Sequence, residues 1–231
     1  MAHRINKIPG NADYSISVGD KHRTRALGNF RDAIKRAFDL IGSITLIFLA
    51  FPLLFVVGLL VATDGGPVFY RHSRVGRGGQ MFGCWKFRTM ILDAEACLGE
   101  YLSYHPEAAR EWEREQKLAF DPRITSVGRF LRQSSLDELP QLFNVLSGDM
   151  SLVGPRPVTQ AEMKHYGPVA PLYMSVRPGI TGLWQVSGRN DVGYNERVAL
   201  DKHYILNHHV LLDLFILYRT IGVVVSRRGA R

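Results

Sequence analysis

A mostly helical α+β fold is expected for this chain, with a Pro-broken re-entrant membrane helix hairpin, a small cytoplasmic domain with a short β-hairpin, and interfacial amphipathic helices. Three observations point there: an uncharged run from Leu40 to Thr63, two short apolar runs joined by glycines, and later stretches dense in helix formers. With 231 residues, 46% hydrophobic and 22% charged, the chain can bury a sizeable core, which excludes disorder as a whole. Its 22 Gly and 11 Pro follow no triplet period and no repeated unit recurs, so collagen-like and solenoid architectures are excluded as well. Cys84 and Cys97 are too few for a disulfide framework and fit a reducing compartment.

Residues 1–29 are polar, lack an apolar period and read as a mobile tail. Residues 30–64 form a basic lead-in followed by the membrane segment. A 24-residue uncharged run makes a helix of about 36 Å, enough to cross a hydrocarbon core of roughly 30 Å. Pro52 lies near its middle, where it removes a backbone hydrogen bond and should bend the helix into two arms of about 17 Å. Lys21, Arg23, Arg25, Arg31, Lys35 and Arg36 precede the run, and Arg71, Arg74, Arg77, Lys86 and Arg88 follow it. Basic flanks on both sides favour a hairpin whose two ends stay on the cytoplasmic face. The segment is too long, and too far from the N-terminus, for a cleaved signal peptide.

Residues 65–231 form the membrane-apposed domain. Gly65-Gly66-Pro67 is a turn, and Val68 to Tyr70 with Met81 to Phe87 read as a β-hairpin closed by Gly76, Gly78 and Gly79. No Gly-Lys-Ser/Thr completes a phosphate loop there. Ile91 to Gln116 reads as two amphipathic helices broken at Pro106. Val210 to Val225 is strongly apolar but carries Asp213 and Arg219, which suits an interfacial or a core helix. His203, His208 and His209 do not have a zinc spacing.

From Asp121 onward the chain is dense in Arg, Gly, Pro and Asp, the texture of functional loops. In Ser135-Leu136-Asp137-Glu138 a helix begins whose apolar stripe continues through Leu139, Leu142, Phe143 and Leu146. Two readings of the pair stand together. Ser135-x-x-Glu138 is a capping box, with the acidic residues offsetting the positive helix end. Alternatively, the N–H groups of that end hold Asp137 ionised beside a divalent cation, ready to attack phosphorus. Gly154-Pro155-Arg156-Pro157 holds Arg156 in an extended backbone suited to meeting phosphate oxygens.

These motifs, in their order, resemble the bacterial sugar transferases, the monotopic polyprenyl-phosphate phosphoglycosyl transferases. The residues concerned are KRAFDL before the Pro-broken run, KFRTM at 86–90, SLDELPQLFNVLSGDMSLVGPRP at 135–157 and RPGITGLWQVSGRND at 177–191. The likeness covers residues 35–228 and looks strongest to exopolysaccharide-production transferases that load a hexose 1-phosphate. Where that family usually has Ser-Pro in its re-entrant helix, this chain has Phe51-Pro52.

The resemblance implies transfer of a hexose 1-phosphate, galactose or glucose, from a UDP-hexose to undecaprenyl phosphate, with release of UMP at the cytoplasmic face of the bacterial inner membrane. Asp137 is then the nucleophile and a ligand of Mg2+, and Glu138 orients it or takes a proton. Lys86, Arg88, Arg132, Arg156 and Arg177, then Arg189 and Asp201, are expected to face phosphate or nucleotide. Membrane lipids are implied partners, no nucleic acid is expected, and a homodimer stays open. The net charge of +8 fits anionic partners in general, so two other classes were weighed. One is a membrane-tethered nucleic-acid binder using Trp85, Tyr166, Tyr173 and Trp184, the other a basic adaptor. Both leave the ordered phosphate-site motifs unexplained.

Overall fold

The computed structural model describes residues 18–115, 117–188 and 193–226, with the side chains of the first helix described from Phe30. That helix, α1 (Val18–Ala62), contains the apolar run and carries Pro52 inside it. It begins upstream of residue 30, so residues 18–29 continue the helix instead of belonging to a tail; residues 1–17 lie outside the described residues. Helical assignment also runs through Pro52 without interruption. Proline forfeits one hydrogen bond, and the flanking strong helix formers keep the rest of the ladder.

The apolar surface of α1 is mostly open. Ile41, Ile44, Phe48, Leu49, Phe51 and Phe55 are exposed, and 33 residues from Phe30 to Ala62 are apolar enough to cross a membrane. The two ends of the apolar run, by contrast, are tied to one body. At the first, Arg36 donates to the carbonyls of Val145 at 2.6 Å and Leu146 at 3.0 Å. Asp39 accepts from the Leu152 amide at 3.1 Å and the Ser151 hydroxyl at 2.9 Å. At the second, Val57 and Val61 pack with Phe87 and Leu131, and Arg88 donates to the Val61 carbonyl at 3.1 Å.

The helix stops where Thr63 bonds back to Leu60 and Gly65 turns at φ +76°. β1 (Phe69–Val75) then pairs antiparallel with β2 (Met81–Phe87), from Phe69 opposite Phe87 to Val75 opposite Met81. The hairpin is thus as expected, with a longer first strand. Its turn needs Gly78 and Gly79, both left-handed. The two helices anticipated around Pro106 are α2 (Ala94–Tyr104) and α3 (Pro106–Glu115). α4 (Ser126–Ser134) is N-capped by the Thr125 hydroxyl, which accepts from the Gly128 amide at 2.9 Å.

α5 (Gln141–Ser147) leads to β3 (Ser151–Val153), which pairs parallel with β4 (Gly179–Thr181). α6 (Ala170–Tyr173) lies between these strands, and α7 (Leu183–Ser187), α8 (Tyr194–Asn207) and α9 (Val210–Ser226) follow. The main core gathers Cys84, Leu142, Val145, Met150, Leu152, Val153, Tyr204 and Ile216, so the hairpin, α5, β3, α8 and α9 share one interior. A second cluster holds Val75, Val158, Tyr166, Tyr173 and Val198. Along α9, Leu211, Leu214, Phe215, Tyr218 and Ile221 form an exposed apolar stripe, while Asp213 and Ile216 are buried.

Candidate active site

The expected helix start at Ser135 is built differently. Ser135 sits in the left-handed region at φ 58°, the only described non-glycine residue there, and its amide closes the end of α4. Residues 136–138 form a single tight turn, and α5 begins only at Gln141, because Pro140 supplies no amide to bond back into a longer helix. The capping box is absent: the Ser135 side chain caps nothing, and the Glu138 amide reaches the Ser135 carbonyl instead. A left-handed Ser135 two residues before Asp137 is the kind of backbone that packing must enforce.

Asp137 is 8% exposed. Lys86, the last residue but one of β2, stands against the pair, with Nζ 2.7 Å from a Glu138 carboxylate oxygen and 3.8 Å from one of Asp137. Burial pushes the Asp137 carboxyl up to about 6; the nearby positive charge of Lys86 works against this, and the negative charge of Glu138 adds to it. Where the sequence suggests that helix-end amides hold Asp137 ionised, the largest influence here is burial, which works against ionisation. Glu138 shifts the other way. Burial opposes its ionisation, but Lys86 and Arg156 outweigh it and hold the carboxyl below its ordinary value. The two neighbours are therefore unequal: Glu138 is a fixed anion, and Asp137 ionises near neutrality.

A narrow cleft opens beside Glu138, lined by Arg74, Lys86, Glu138, Gln141, Arg156 and Gln185 among others. Arg156 arrives through a close backbone crossing. Any Cβ on Gly179 would lie 2.1 Å from the Gly154 amide nitrogen, and one on Gly154 would lie 2.7 Å from the Arg177 carbonyl. Only glycines let β3 and β4 approach there, and this sends Pro155-Arg156-Pro157 over the cleft. The Arg156 guanidinium stands 5.8 Å from the Trp184 ring, and the Tyr173 hydroxyl donates to the Arg156 carbonyl at 3.0 Å. Arg74 is held by Glu162 at 2.9 Å.

The other anticipated positions separate. Arg132 stays near the pair, its Nε donating to the Thr89 hydroxyl at 2.9 Å, and burial lowers its pKa while the charge of Asp137 raises it. Arg88 is placed elsewhere: it clamps Asp64 and the carbonyls of Pro67, Met90 and Val61, sealing the end of α1. Arg177 is also directed away, donating to the Gly148 carbonyl at 2.7 Å beyond the far end of α5. Asp201 is fully buried, accepts the Tyr166 hydroxyl at 2.7 Å, and is pushed up to about 7 by burial. Arg189 lies outside the described residues. Gln141 and Gln185 lie inside the motifs of resemblance and Arg74 in the basic flank, but sequence reasoning gave none of them a place at the site.

Aromatic stacking of bases has little surface here. Tyr166, Tyr173 and Trp184 are buried, and the Trp85 face is covered by the Arg71 guanidinium at 3.7 Å. As to a metal, no three His, Cys, Asp or Glu side chains converge among the described residues. Mg2+ commonly uses one or two carboxylates and fills its shell with water and substrate phosphate. A desolvated Asp137 with a single lysine nearby fits that mode and does not fit an all-protein cage.

Residues 30–227 match the bacterial sugar transferase family. Among relatives, the undecaprenyl-phosphate galactose phosphotransferase of Salmonella typhimurium is 51% identical over 197 residues, 85% of this chain and 41% of that protein. The UDP-galactose-lipid carrier transferase of Erwinia amylovora is 49% identical over 210 residues, 91% of this chain and 43% of its own length. This chain thus spans about two-fifths of those two relatives. The exopolysaccharide production protein ExoY of Sinorhizobium fredii, 50% identical over 197 residues, is matched over 87% of its length. With the acidic pair, its lysine and the proline-held arginine lying inside the matched region, the chain belongs to the bacterial sugar transferase family.

Proposed function

We propose that the protein transfers a hexose 1-phosphate from a UDP-hexose to undecaprenyl phosphate, the first step in building an exopolysaccharide. The observation that carries this is Asp137: a nearly buried carboxylate, pushed up to about 6, beside Glu138, Lys86 and a cleft lined by arginines. A carboxylate so poorly solvated and so weakly paired is a better nucleophile than a saturated one. The names of the relatives support the lipid acceptor, and galactose is the favoured sugar.

In the first step a carboxylate oxygen of Asp137 attacks the β-phosphorus of the donor. The P–O bond to the α-phosphate breaks, UMP leaves, and the hexose phosphate stays on Asp137. In the second step a phosphate oxygen of the lipid attacks the same phosphorus, the P–O bond to Asp137 breaks, and the carboxylate is restored. Lys86 and Arg156 place positive charge where the phosphoryl oxygens gather charge in both transition states. Glu138, held as an anion, keeps Lys86 in place and directs the free oxygen of Asp137. Mg2+, held by Asp137 and the donor phosphates, would neutralise the pyrophosphate charge.

Both ends of the apolar run in α1 pack on the same body, and the run between them is exposed and apolar. This supports a helix that dips into the inner membrane and returns at Pro52 to the cytoplasmic face, with the stripe on α9 resting at the lipid surface. The test is UMP release from a panel of UDP-sugars by the detergent-solubilised protein, with and without Mg2+ and undecaprenyl phosphate. Metal-dependent release that turns over only with the lipid is expected. No release from any donor would contradict the proposal.

A further inference from the structure

The cleft beside Glu138 is rich in donors. Arg74, Lys86 and Arg156 all present N–H groups, which suit phosphate oxygens because those oxygens only accept. A sugar ring needs the opposite as well, since each hydroxyl must also donate. The Oε1 of Gln185 is an acceptor buried without a hydrogen-bond partner. Its orientation is set from the other end of the amide: Nε2 donates to the Ile180 carbonyl at 3.3 Å, and a flipped amide would face two oxygens against each other. With Nε2 committed, the carbonyl is the end of the side chain left for the cleft.

A buried carbonyl without a donor is costly, and the cost is recovered when a ligand supplies one. We propose that Gln185 Oε1 accepts a hydrogen bond from one hydroxyl of the donor's hexose and thereby selects which hexose is transferred. This rests on the phosphoglycosyl reading above. The hexose is favoured over the ribose because it is bonded to the phosphorus that Asp137 attacks, and Gln185 lines the same cleft as Glu138, Lys86 and Arg156. α7, which carries Gln185, begins directly after β4, so the selecting amide stands on the same short crossing that positions Arg156.

The experiment compares kcat/KM of wild type and Gln185→Leu, with Mg2+ and undecaprenyl phosphate present. The donors are the preferred UDP-hexose, each singly deoxygenated hexose analogue, and the analogue deoxygenated on the ribose. Wild type should lose about ten- to a hundredfold on one deoxyhexose donor. Gln185→Leu should lose a similar factor on the parent sugar and nothing further on that analogue. Equal loss by Gln185→Leu on every donor would overturn the inference in favour of a purely structural role. Coupling to the ribose hydroxyl would overturn it in favour of nucleotide recognition. Gln185→Met, which keeps the side-chain length, replaces the leucine variant if that one does not fold. A wild type that releases no UMP from any donor would instead strike down the phosphoglycosyl reading, so the two failures are distinguishable.

Discussion

Two lysines in this protein each stand between two carboxylates, and their surroundings are opposite. Lys35 lies 3.2 Å from Asp39 and 2.9 Å from Asp213. Asp39 also accepts from Ser151 and from the Leu152 amide, and Asp213 accepts the Tyr204 hydroxyl at 2.7 Å. Three donors thus reach Asp39, and the cluster fastens α1 to β3, α8 and α9. Lys86 lies close to Glu138 but 3.8 Å from Asp137, whose burial is not offset. Similar residue types thus build a latch in one place and an unevenly paired acidic site in the other. The difference lies in how many donors reach the carboxylates.

The sharpest way to break this comparison is Asp137→Asn. The account expects turnover to fall by at least about 10⁴-fold, because no other group can hold the phosphosugar. Stability should hold or rise: the folded carboxyl at about 6 lies above the unfolded value, so its ionisation opposes folding across neutral pH, and the amide removes that cost. An active variant, or one that melts earlier, contradicts the contrast. Asp39→Ala should behave in the opposite way. It leaves the buried Leu152 amide short of an acceptor, while Lys35 keeps Asp213, and should cost about 1–3 kcal/mol of stability, read by thermal melting in detergent. The activity of what remains folded should change little. Wild-type melting would show that the latch carries no load.

A smaller effect sharpens the pair itself. The acid limb of kcat/KM, which reports the free enzyme, should fall as pH drops through about 6, where Asp137 takes up its proton. Lys86 lowers that value, so Lys86→Met should move the limb upward as well as reduce the rate. A limb that stays in place would mean that another group controls it.

Much of this was legible in the sequence where function is local. Asp137, Glu138, Lys86 and Arg156 stand in short motifs whose chemistry can be read residue by residue. Arg88 was read alongside Lys86 because they share KFRTM, yet β2 ends at Phe87 and Asp64 awaits the guanidinium at the end of the apolar run. Asp64 is held down to about 2 by that contact, a partnership that no spacing rule reveals. Arg74 and Gln185 come to the cleft through strand register and the β3–β4 crossing, which are long-range facts. The left-handed Ser135 escaped notice because the same four residues make an acceptable capping box on paper. KRAFDL was quoted only as a motif of resemblance; in the structure its Lys35, Arg36 and Asp39 hold α1 in place.

The most direct test of the central claim is intact-protein and peptide mass spectrometry after incubation with UDP-hexose and Mg2+ in the absence of lipid acceptor. The account predicts a mass increase of one hexose phosphate, located on the peptide containing Asp137, lost on adding undecaprenyl phosphate and absent from Asp137→Asn. UMP release and lipid-linked product with no adduct at Asp137 under rapid quenching would contradict it.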